Sequence, residues 1–128
     1  MSEIPAIIKG TVDFRDGQRC VRCGMYLSEN GSRHHRQRRR VGGHLVVNII
    51  LLCGSGSTGC HGWVHGHPEA SRAVGLIVRS NVRDVASVPV EIVDPIDPDR
   101  PFPVLLTEDG QRVRISREQA VDVWAEVS

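Results

Sequence analysis

Four cysteines, at positions 20, 23, 53 and 60, constrain the fold of this 128-residue chain more than any other feature. Only 4% of the residues are aromatic, so the core must consist mainly of Val, Ile and Leu. A small core without large side chains often depends on a bound metal. No secretory signal is visible, and in the cytoplasm, where we expect the protein, thiols stay reduced. The cysteines are therefore predicted to bind a metal rather than to form disulfides.

The cysteine spacing fits a closed tetrahedral zinc site with four thiolate ligands. Two residues separate Cys20 from Cys23, and this spacing lets both thiolates face one ion. Six residues separate Cys53 from Cys60, but the intervening GSGSTG is flexible and can loop outward, which leaves the two thiolates close. His61 is an alternative to Cys60 as the fourth ligand, and four unrelated buried thiols are the alternative to a metal site. We expect a structural Zn²⁺.

The remaining pattern predicts a mixed α+β fold. A helix is expected over residues 3–16, with Ile4, Ile7, Ile8 and Val12 on one face. Further helices are expected from CHGWVH onward and in the segment that Ser116 caps. Extended segments are expected at SRHHRQ, HLVVNIILLC, SVPVEIV and PFPVLLT, and a hairpin turn at EDGQRVRI. We divide the chain into residues 1–82 and an acidic lobe of strands and a terminal helix over residues 83–128.

Charge is distributed unevenly along the chain, although its net formal value is only +1. Residues 1–83 contain twelve basic and five acidic side chains, whereas residues 84–128 contain four and ten. The first part is therefore expected to attract a polyanion and the second to repel one. The longest apolar run, VVNIILLC, is too short to cross a bilayer, so no membrane association is expected.

All six histidines lie between residues 34 and 67. His61 and His65 are four residues apart, so on a helix they share one face and can hold one ion. His34 and His35 are adjacent, which on a strand directs them to opposite faces, so that one can ligate a metal while the other meets a substrate. Three imidazole ligands leave coordination positions for water and a phosphate oxygen.

Five arginines surround the histidine pair, and their forked guanidinium groups can clamp phosphates. They are Arg33, Arg36, Arg38, Arg39 and Arg40. Such contacts carry little sequence information, so we expect DNA binding that is sensitive to salt and only weakly specific for sequence. A solvated face or flexible arm is the simpler interpretation of this charge run.

Simpler interpretations also remain for other polar residues. His44 and His67 are equally explained as structural or surface residues, and the histidine pair as solvated neighbours of the arginines. Asn48 can be a turn residue or a core amide, which must then be hydrogen-bonded. Trp63 is expected to pack a helix against the strands rather than to touch DNA.

The ordered set of these residues resembles the HNH endonuclease family, in particular small zinc-knuckle HNH proteins of actinobacterial phages. Residues 15–78 carry the resemblance, through CVRC, the HH pair, Asn48 and CHGWVH. It implies a ββα-metal core of the His-Me finger type, supported here by a four-cysteine zinc site and followed by a small β-rich lobe. It also implies hydrolysis of phosphodiester bonds in double-stranded DNA.

The resemblance further implies a role for each matching residue. His35 would be the general base, and Asn48 would orient the loop that positions it. The implied ligands of a catalytic divalent metal are His34, His61 and His65. The choice between His65 and His67 stays open, as does the choice among Mg²⁺, Mn²⁺, Ni²⁺ and Zn²⁺.

The leading hypothesis is a metal-dependent HNH endonuclease that nicks or cuts DNA with weak sequence specificity. Through the resemblance, a phage genome-packaging terminase is the implied partner, and the host cytoplasm is the implied location. One alternative is a non-catalytic, zinc-stabilised DNA-binding module. The other is an adaptor whose acidic C-terminal lobe recruits a basic partner.

Overall fold

The computed structural model describes residues 3–28 and 31–128 as a mixed α+β structure with two small antiparallel sheets. The helices are α1 (Ala6–Arg15), α2 (Arg39–Gly42), α3 (Gly59–Gly66), α4 (Pro68–Arg72) and α5 (Arg117–Val127). The strands are β1 (Gly31–His35), β2 (Ile49–Cys53), β3 (Val90–Ile92), β4 (Phe102–Leu106) and β5 (Arg112–Arg114). β1 pairs with β2, and β3, β4 and β5 form the second sheet in that order. The predicted α+β class is confirmed.

Helix α1 confirms the helix predicted over residues 3–16, but not its buried face. Val12 is fully buried, whereas Ile7, which we expected beside it, is 78% exposed. The core-facing stripe of the helix runs through Ile8, Val12 and Arg15, at spacings of four and three residues. Ile7 and Phe14 lie seven residues apart on the outward face, and both are exposed. Apolar residues on both faces made the sequence pattern ambiguous.

A two-stranded hairpin followed by a helix forms the centre of the molecule. β1 and β2 are antiparallel, in a register that runs from the pair Gly31–Cys53 to the pair His35–Ile49. All five residues of β2 are buried, as its Ile- and Leu-rich sequence favours. α3 follows β2 after a short loop and packs against it. The strand predicted in HLVVNIILLC is shorter than expected, because Val46–Asn48 form a 3-10 turn.

Asn48 ends this turn and closes the connection between the two strands. Its buried side-chain Oδ1 accepts a hydrogen bond from the Gln37 backbone N–H at 2.8 Å. Its Nδ2 donates to the carbonyl oxygens of Gln37 at 2.8 Å and Gly43 at 3.0 Å. A Cβ on Gly42 would collide with this amide, so the loop requires glycine there. Asn48 is therefore a satisfied core amide that fixes the loop after His35.

The C-terminal segment shares one hydrophobic cluster with the rest of the described chain. This cluster extends from Ile4 to Trp124 and consists mainly of Val, Ile and Leu, as the composition predicts. The Val93 N–H donates to the Val21 carbonyl oxygen at 2.8 Å, and the guanidinium of Arg36, directly after β1, donates to the Val88 carbonyl oxygen at 2.6 Å. The acidic segment is thus packed against the hairpin and the cysteine-rich turn.

The predicted local structure of the C-terminal segment is confirmed. SVPVEIV and PFPVLLT contain β3 and β4, and a turn in EDGQRVRI leads into β5. Ser116 caps α5 by accepting a hydrogen bond from the Gln119 backbone N–H, and the Gln119 side chain accepts one from the Ser116 backbone N–H. This reciprocal capping box satisfies two backbone donors that the first turn of a helix leaves unpaired.

Arg36 is buried, so the expectation that it contacts DNA is wrong. It is 2% exposed, and its guanidinium donates to the carbonyl oxygens of Val47 at 3.0 Å, Gly75 at 2.9 Å and Val88 at 2.6 Å. Burial, with a smaller contribution from the charge of Arg15, lowers the pKa of Arg36 to about 9. The side chain therefore remains charged at pH 7 and cross-links three segments of the core.

We predict that Arg36→Leu lowers the free energy of unfolding by about 3 kcal/mol or more, because several buried carbonyl oxygens lose their donor. The measurement is urea denaturation followed by circular dichroism. Arg40→Leu is the matched control, because Arg40 is exposed, and it should change the value by less than about 0.5 kcal/mol. Equal stability of the two variants would contradict a cross-linking role for Arg36.

Candidate functional site

The four cysteine thiols lie together. Cys20 and Cys23 flank a turn in the segment after α1, Cys53 ends β2, and Cys60 lies in the first turn of α3. All four Sγ atoms lie within 4.8 Å of one another, and all four cysteines are free. The Sγ atoms of Cys23 and Cys53 are 3.9 Å apart. A tetrahedral Zn²⁺ with Zn–S bonds of about 2.3 Å places thiolates roughly 3.8 Å apart, so the cluster is consistent with structural zinc.

The loop between Cys53 and Cys60 folds back on itself and brings this pair together. Its backbone is closed by hydrogen bonds from the Ser55 N–H to the Thr58 carbonyl oxygen at 3.1 Å and from the Thr58 N–H to the Ser55 carbonyl oxygen at 3.2 Å. Gly54 has a φ of +82°, and a Cβ there would collide with the Thr58 carbonyl oxygen. The expectation that six intervening residues leave the two thiolates close is confirmed.

The surroundings of the thiols favour a bound cation. Burial raises the pKa of Cys20 and Cys60, so thiolates at these positions need positive charge nearby. Arg22 supplies some of it, with its Nη1 3.5 Å from the Cys60 Sγ. At Cys53, burial opposes ionisation, but hydrogen bonds led by the backbone N–H of Cys60 lower the pKa. A divalent cation would stabilise the remaining charge.

Three histidines form a second potential metal site. His34 comes from β1, and His61 and His65 lie one turn apart on α3. A nitrogen from each ring lies within 4.8 Å of the others, and the ring centroids are 4.6 to 5.6 Å apart. We call these three residues the histidine trio. Because His61 belongs to the trio and Cys60 to the thiol cluster, the structure does not support His61 as a substitute for Cys60.

The hydrogen bonds around the trio leave ring nitrogens available to bind a cation. The Nε2 of buried His34 lies 2.9 Å from the Leu76 carbonyl oxygen, which can only accept, so His34 donates from Nε2 and keeps its lone pair on Nδ1. Burial lowers the pKa of His34 to about 3, which keeps the ring neutral as a metal ligand must be. The Nδ1 of His61 is buried and has no hydrogen-bond partner among the described residues. Neutral imidazole nitrogens of this kind are suitable ligands for a divalent transition-metal ion.

His35 lies next to the trio without joining it. Its Nε2 is 3.0 Å from the Nδ1 of His44, so the two rings share a hydrogen bond. Burial and then the charge of Arg39 lower the pKa of His35 to about 4, so the ring is neutral at pH 7. Although adjacent residues on a strand point to opposite faces, His34 and His35 line the same cleft, at the point where β1 ends.

This cleft has a volume of about 790 Å³ and is lined by histidines and arginines. Among residues 3–28 and 31–128, those that line it include no Asp or Glu. The arginines among them are Arg33, Arg36, Arg38, Arg39, Arg72 and Arg79. A concave surface whose lining carries an excess of positive charge focuses an electrostatic field that attracts anions. The cleft therefore suits a phosphate-rich ligand.

The predicted DNA-binding arginines have different environments. Arg38 and Arg39 are exposed and line the cleft. Arg33 also lines it but is ion-paired, with its Nε 2.9 Å from the Asp13 Oδ1. Arg40 is exposed and lies outside the lining, and Arg36 is buried as described above. Only Arg38 and Arg39 of the predicted set therefore combine exposure with a place in the cleft.

Arg72 and Arg79 also line the cleft, and sequence analysis missed them. They lie in PEASRAVGLIVRS, residues 68–80, which contains no other basic residue. Neither residue is part of a charge run or of a motif. In the structure, Arg79 is exposed and directly follows buried Val78.

His67 and Trp63 lie beside the site but outside the trio. The His67 ring stacks on the Trp63 ring at a centroid distance of 4.5 Å, and its Nδ1 bonds to the Trp63 carbonyl oxygen at 2.8 Å. The Arg22 guanidinium lies over the Trp63 ring, 3.6 Å from its centroid. The structure thus groups His65, rather than His67, with His34 and His61. Trp63 also packs against the core, as expected.

Comparisons with known proteins identify no family for this chain. No family model, no curated protein and no solved structure matches it. Among residues 3–28 and 31–128, no helix is long and apolar enough to span a membrane. Function must therefore be inferred from the two ligand clusters and the cleft.

We predict that Cys53→Ser reduces the bound zinc from about one ion per chain to a small fraction and lowers the thermal unfolding midpoint, because a structural zinc contributes directly to folding free energy. Elemental analysis after dialysis and thermal unfolding measure the two effects. Ser57→Ala, an exposed change in the same loop, should alter neither. Full zinc content in the Cys53→Ser protein would rule out the proposed ligand set.

We predict a second, separable site for a transition-metal ion at the trio. In untagged protein with its thiol site filled, His61→Ala should weaken Ni²⁺ or Zn²⁺ binding by at least roughly 100-fold, since loss of outer-shell partners alone costs 10- to 100-fold. Isothermal titration calorimetry gives the affinity. His67→Ala removes an imidazole that lies outside the trio and should leave it unchanged. Equal losses in both variants would show that no defined site exists.

Proposed function

We propose that this protein is a metal-dependent endonuclease of the HNH type, which hydrolyses phosphodiester bonds in DNA. The observation that carries the proposal is the position of the histidine trio and His35 in one basic cleft, whose lining contains no acidic residue in the part of the chain that the structure describes. A trio alone would fit many metal proteins, and a basic cleft alone would fit any DNA-binding protein. Their combination favours chemistry on a phosphodiester.

The hairpin and helix order supports the HNH assignment. β1 carries His34 and His35, Asn48 lies directly before β2, and α3 carries His61 and His65. This is the order of elements that the resemblance in sequence implies for a ββα-metal core. His34, His61 and His65 would hold the ion, and when bound it would stabilise negative charge that develops on the phosphate oxygens.

His35 is the proposed general base, which removes a proton from the attacking water. Its ring is neutral at pH 7, because its pKa is lowered to about 4, and a neutral imidazole can accept a proton. If His35 donates from Nε2 to the Nδ1 of His44, its free lone pair lies on Nδ1. Asn48 supports this arrangement, because its amide fixes the backbone of Gln37 two residues after His35.

Arg38 and Arg39 are proposed to hold phosphates of the DNA backbone. Both are exposed at the cleft and follow β1 closely, so they lie near His35 in the chain and in the lining. Guanidinium groups bind phosphate oxygens through two parallel donors and read no base edges. We therefore propose weak sequence specificity. A phage terminase partner remains a proposal that rests on the resemblance alone.

A non-catalytic DNA-binding module is the second candidate function. The thiol cluster and the basic cleft would serve such a module equally well. A non-catalytic module would not require the grouped ring nitrogens of the trio or the unpartnered Nδ1 of His61. We therefore favour the nuclease.

We predict that the wild-type protein nicks supercoiled plasmid DNA when Mn²⁺, Ni²⁺, Zn²⁺ or Mg²⁺ is added. A closed circle has no ends, so nicking identifies an endonuclease. His35→Ala should reduce the nicking rate by about 10²- to 10⁴-fold, the usual contribution of a general base. The affinity of this variant for the ion and for DNA should stay within about threefold of the wild-type value, since His35 is proposed to bind neither the ion nor the DNA backbone.

His67→Ala is the control for this experiment and should nick at the wild-type rate. His61→Ala should lose both ion binding and nicking, which separates a ligand from a base. If the wild-type protein binds the plasmid and the ion but never nicks it, the non-catalytic module is the correct function. Nicking by His35→Ala at the wild-type rate would remove His35 from the mechanism.

A further inference from the structure

The basic lining of the cleft continues beyond the arginine run onto α4 and the segment after it. Arg72 is the last residue of α4, and Arg79 is an exposed residue seven positions later. Both line the cleft together with His61 and His65. The histidine trio lies on β1 and α3. Arg38 and Arg39 follow β1 in the chain, and Arg72 follows α3, so each element that carries the trio is followed by arginines.

The backbone that carries Arg79 is held against the chain that follows β1. The Val78 N–H donates to the Arg36 carbonyl oxygen at 2.9 Å. The side-chain Nε2 of buried Gln37 donates to the carbonyl oxygens of Arg79 at 2.9 Å and Val82 at 2.8 Å. The Arg79 side chain is therefore exposed but projects from a fixed backbone. Such pre-organisation reduces the entropy lost when a ligand binds.

Neither Arg72 nor Arg79 is neutralised by a carboxylate. Within residues 3–28 and 31–128, every Arg–carboxylate ion pair involves other arginines. Arg33, in contrast, is paired with Asp13 at the same cleft. An unpaired guanidinium that lines a basic cleft is free to bind an anion, and its planar fork matches phosphate oxygens.

We propose that Arg72 and Arg79 form a second phosphate-binding surface, which holds backbone phosphates next to the scissile phosphodiester. The inference deepens the proposed function and rests on it for the identity of the scissile bond. It specifies the substrate as a nucleic-acid strand with phosphates that flank the reacting one. An isolated phosphodiester would reach the trio and His35 but would leave this surface unused.

The first test is DNA binding without added divalent ion. Arg72→Ala and Arg79→Ala should each weaken binding to a short DNA duplex by about tenfold, as expected for the loss of a charge-assisted hydrogen bond. In the double variant, the negative slope of log affinity against log salt concentration should become shallower by about 2, one for each lost phosphate contact. Fluorescence anisotropy at several salt concentrations gives both quantities.

Arg100→Ala is the matched control, because it removes the same charge from a side chain that is 86% exposed and lies outside the cleft lining. It should bind DNA as the wild type does. Unchanged zinc content and unfolding midpoint establish that all variants fold. A double variant with the wild-type affinity and salt slope would overturn the proposal, as would an equal loss in Arg100→Ala.

The second test compares two substrates. The double variant should lose up to roughly 100-fold in kcat/KM for plasmid nicking, mostly through KM, while hydrolysis of bis(p-nitrophenyl) phosphate stays within about twofold. Equal losses on both substrates would place these arginines at the scissile phosphate and overturn the proposal. If the wild type hydrolyses neither substrate and the double variant still loses DNA binding, the nuclease assignment fails while the phosphate-binding surface stands.

Discussion

The buried guanidinium of Arg36 is the interaction on which the site depends. Arg36 directly follows the His34–His35 pair and donates to carbonyl oxygens in the turn before β2, in the segment after α4 and in the segment before β3. Water does not reach this charge, so these carbonyl oxygens provide its solvation. The end of β1 is thereby fixed relative to three other segments. His34 is held against α3, and His35 is held at the cleft.

Helix α3 connects the two ligand clusters. Cys60 and His61 are adjacent, and adjacent residues point about 100° apart around a helix. One side chain therefore joins the thiol cluster while the next joins the trio. Any rotation of α3 that shifted Cys60 would also shift His61 and His65. A zinc ion bound to the thiols would thus fix the orientation of His61 and His65 without itself contacting a substrate.

The residues that form the two clusters could be predicted from sequence, whereas the environments of the arginines could not. Metal binding restricts both residue type and spacing, as in Cys20 and Cys23, and the loop glycines allowed the longer spacing of the second pair. Arg36 and Arg38 look alike in sequence, yet one is buried and the other exposed. The partners of Arg36 are backbone carbonyl groups 11 to 53 residues away, which any residue type can supply. Most helices and strands followed from local periodicity. The exceptions are α2, which no pattern predicted, the start of β2, and the buried face of α1, where both faces are apolar.

The uneven distribution of charge along the chain is retained in three dimensions. All residues that line the cleft fall between positions 33 and 81. Several acidic residues beyond them are engaged locally: Asp84 accepts a hydrogen bond from the Ala86 N–H, Glu91 pairs with Arg117, and Asp97 pairs with Arg100. These carboxylates therefore do not compete with phosphates for the arginines of the cleft. Because charges in solution are screened beyond about 8 to 10 Å at physiological salt, acidic side chains farther than this from the cleft do not weaken the contacts of a phosphate bound there.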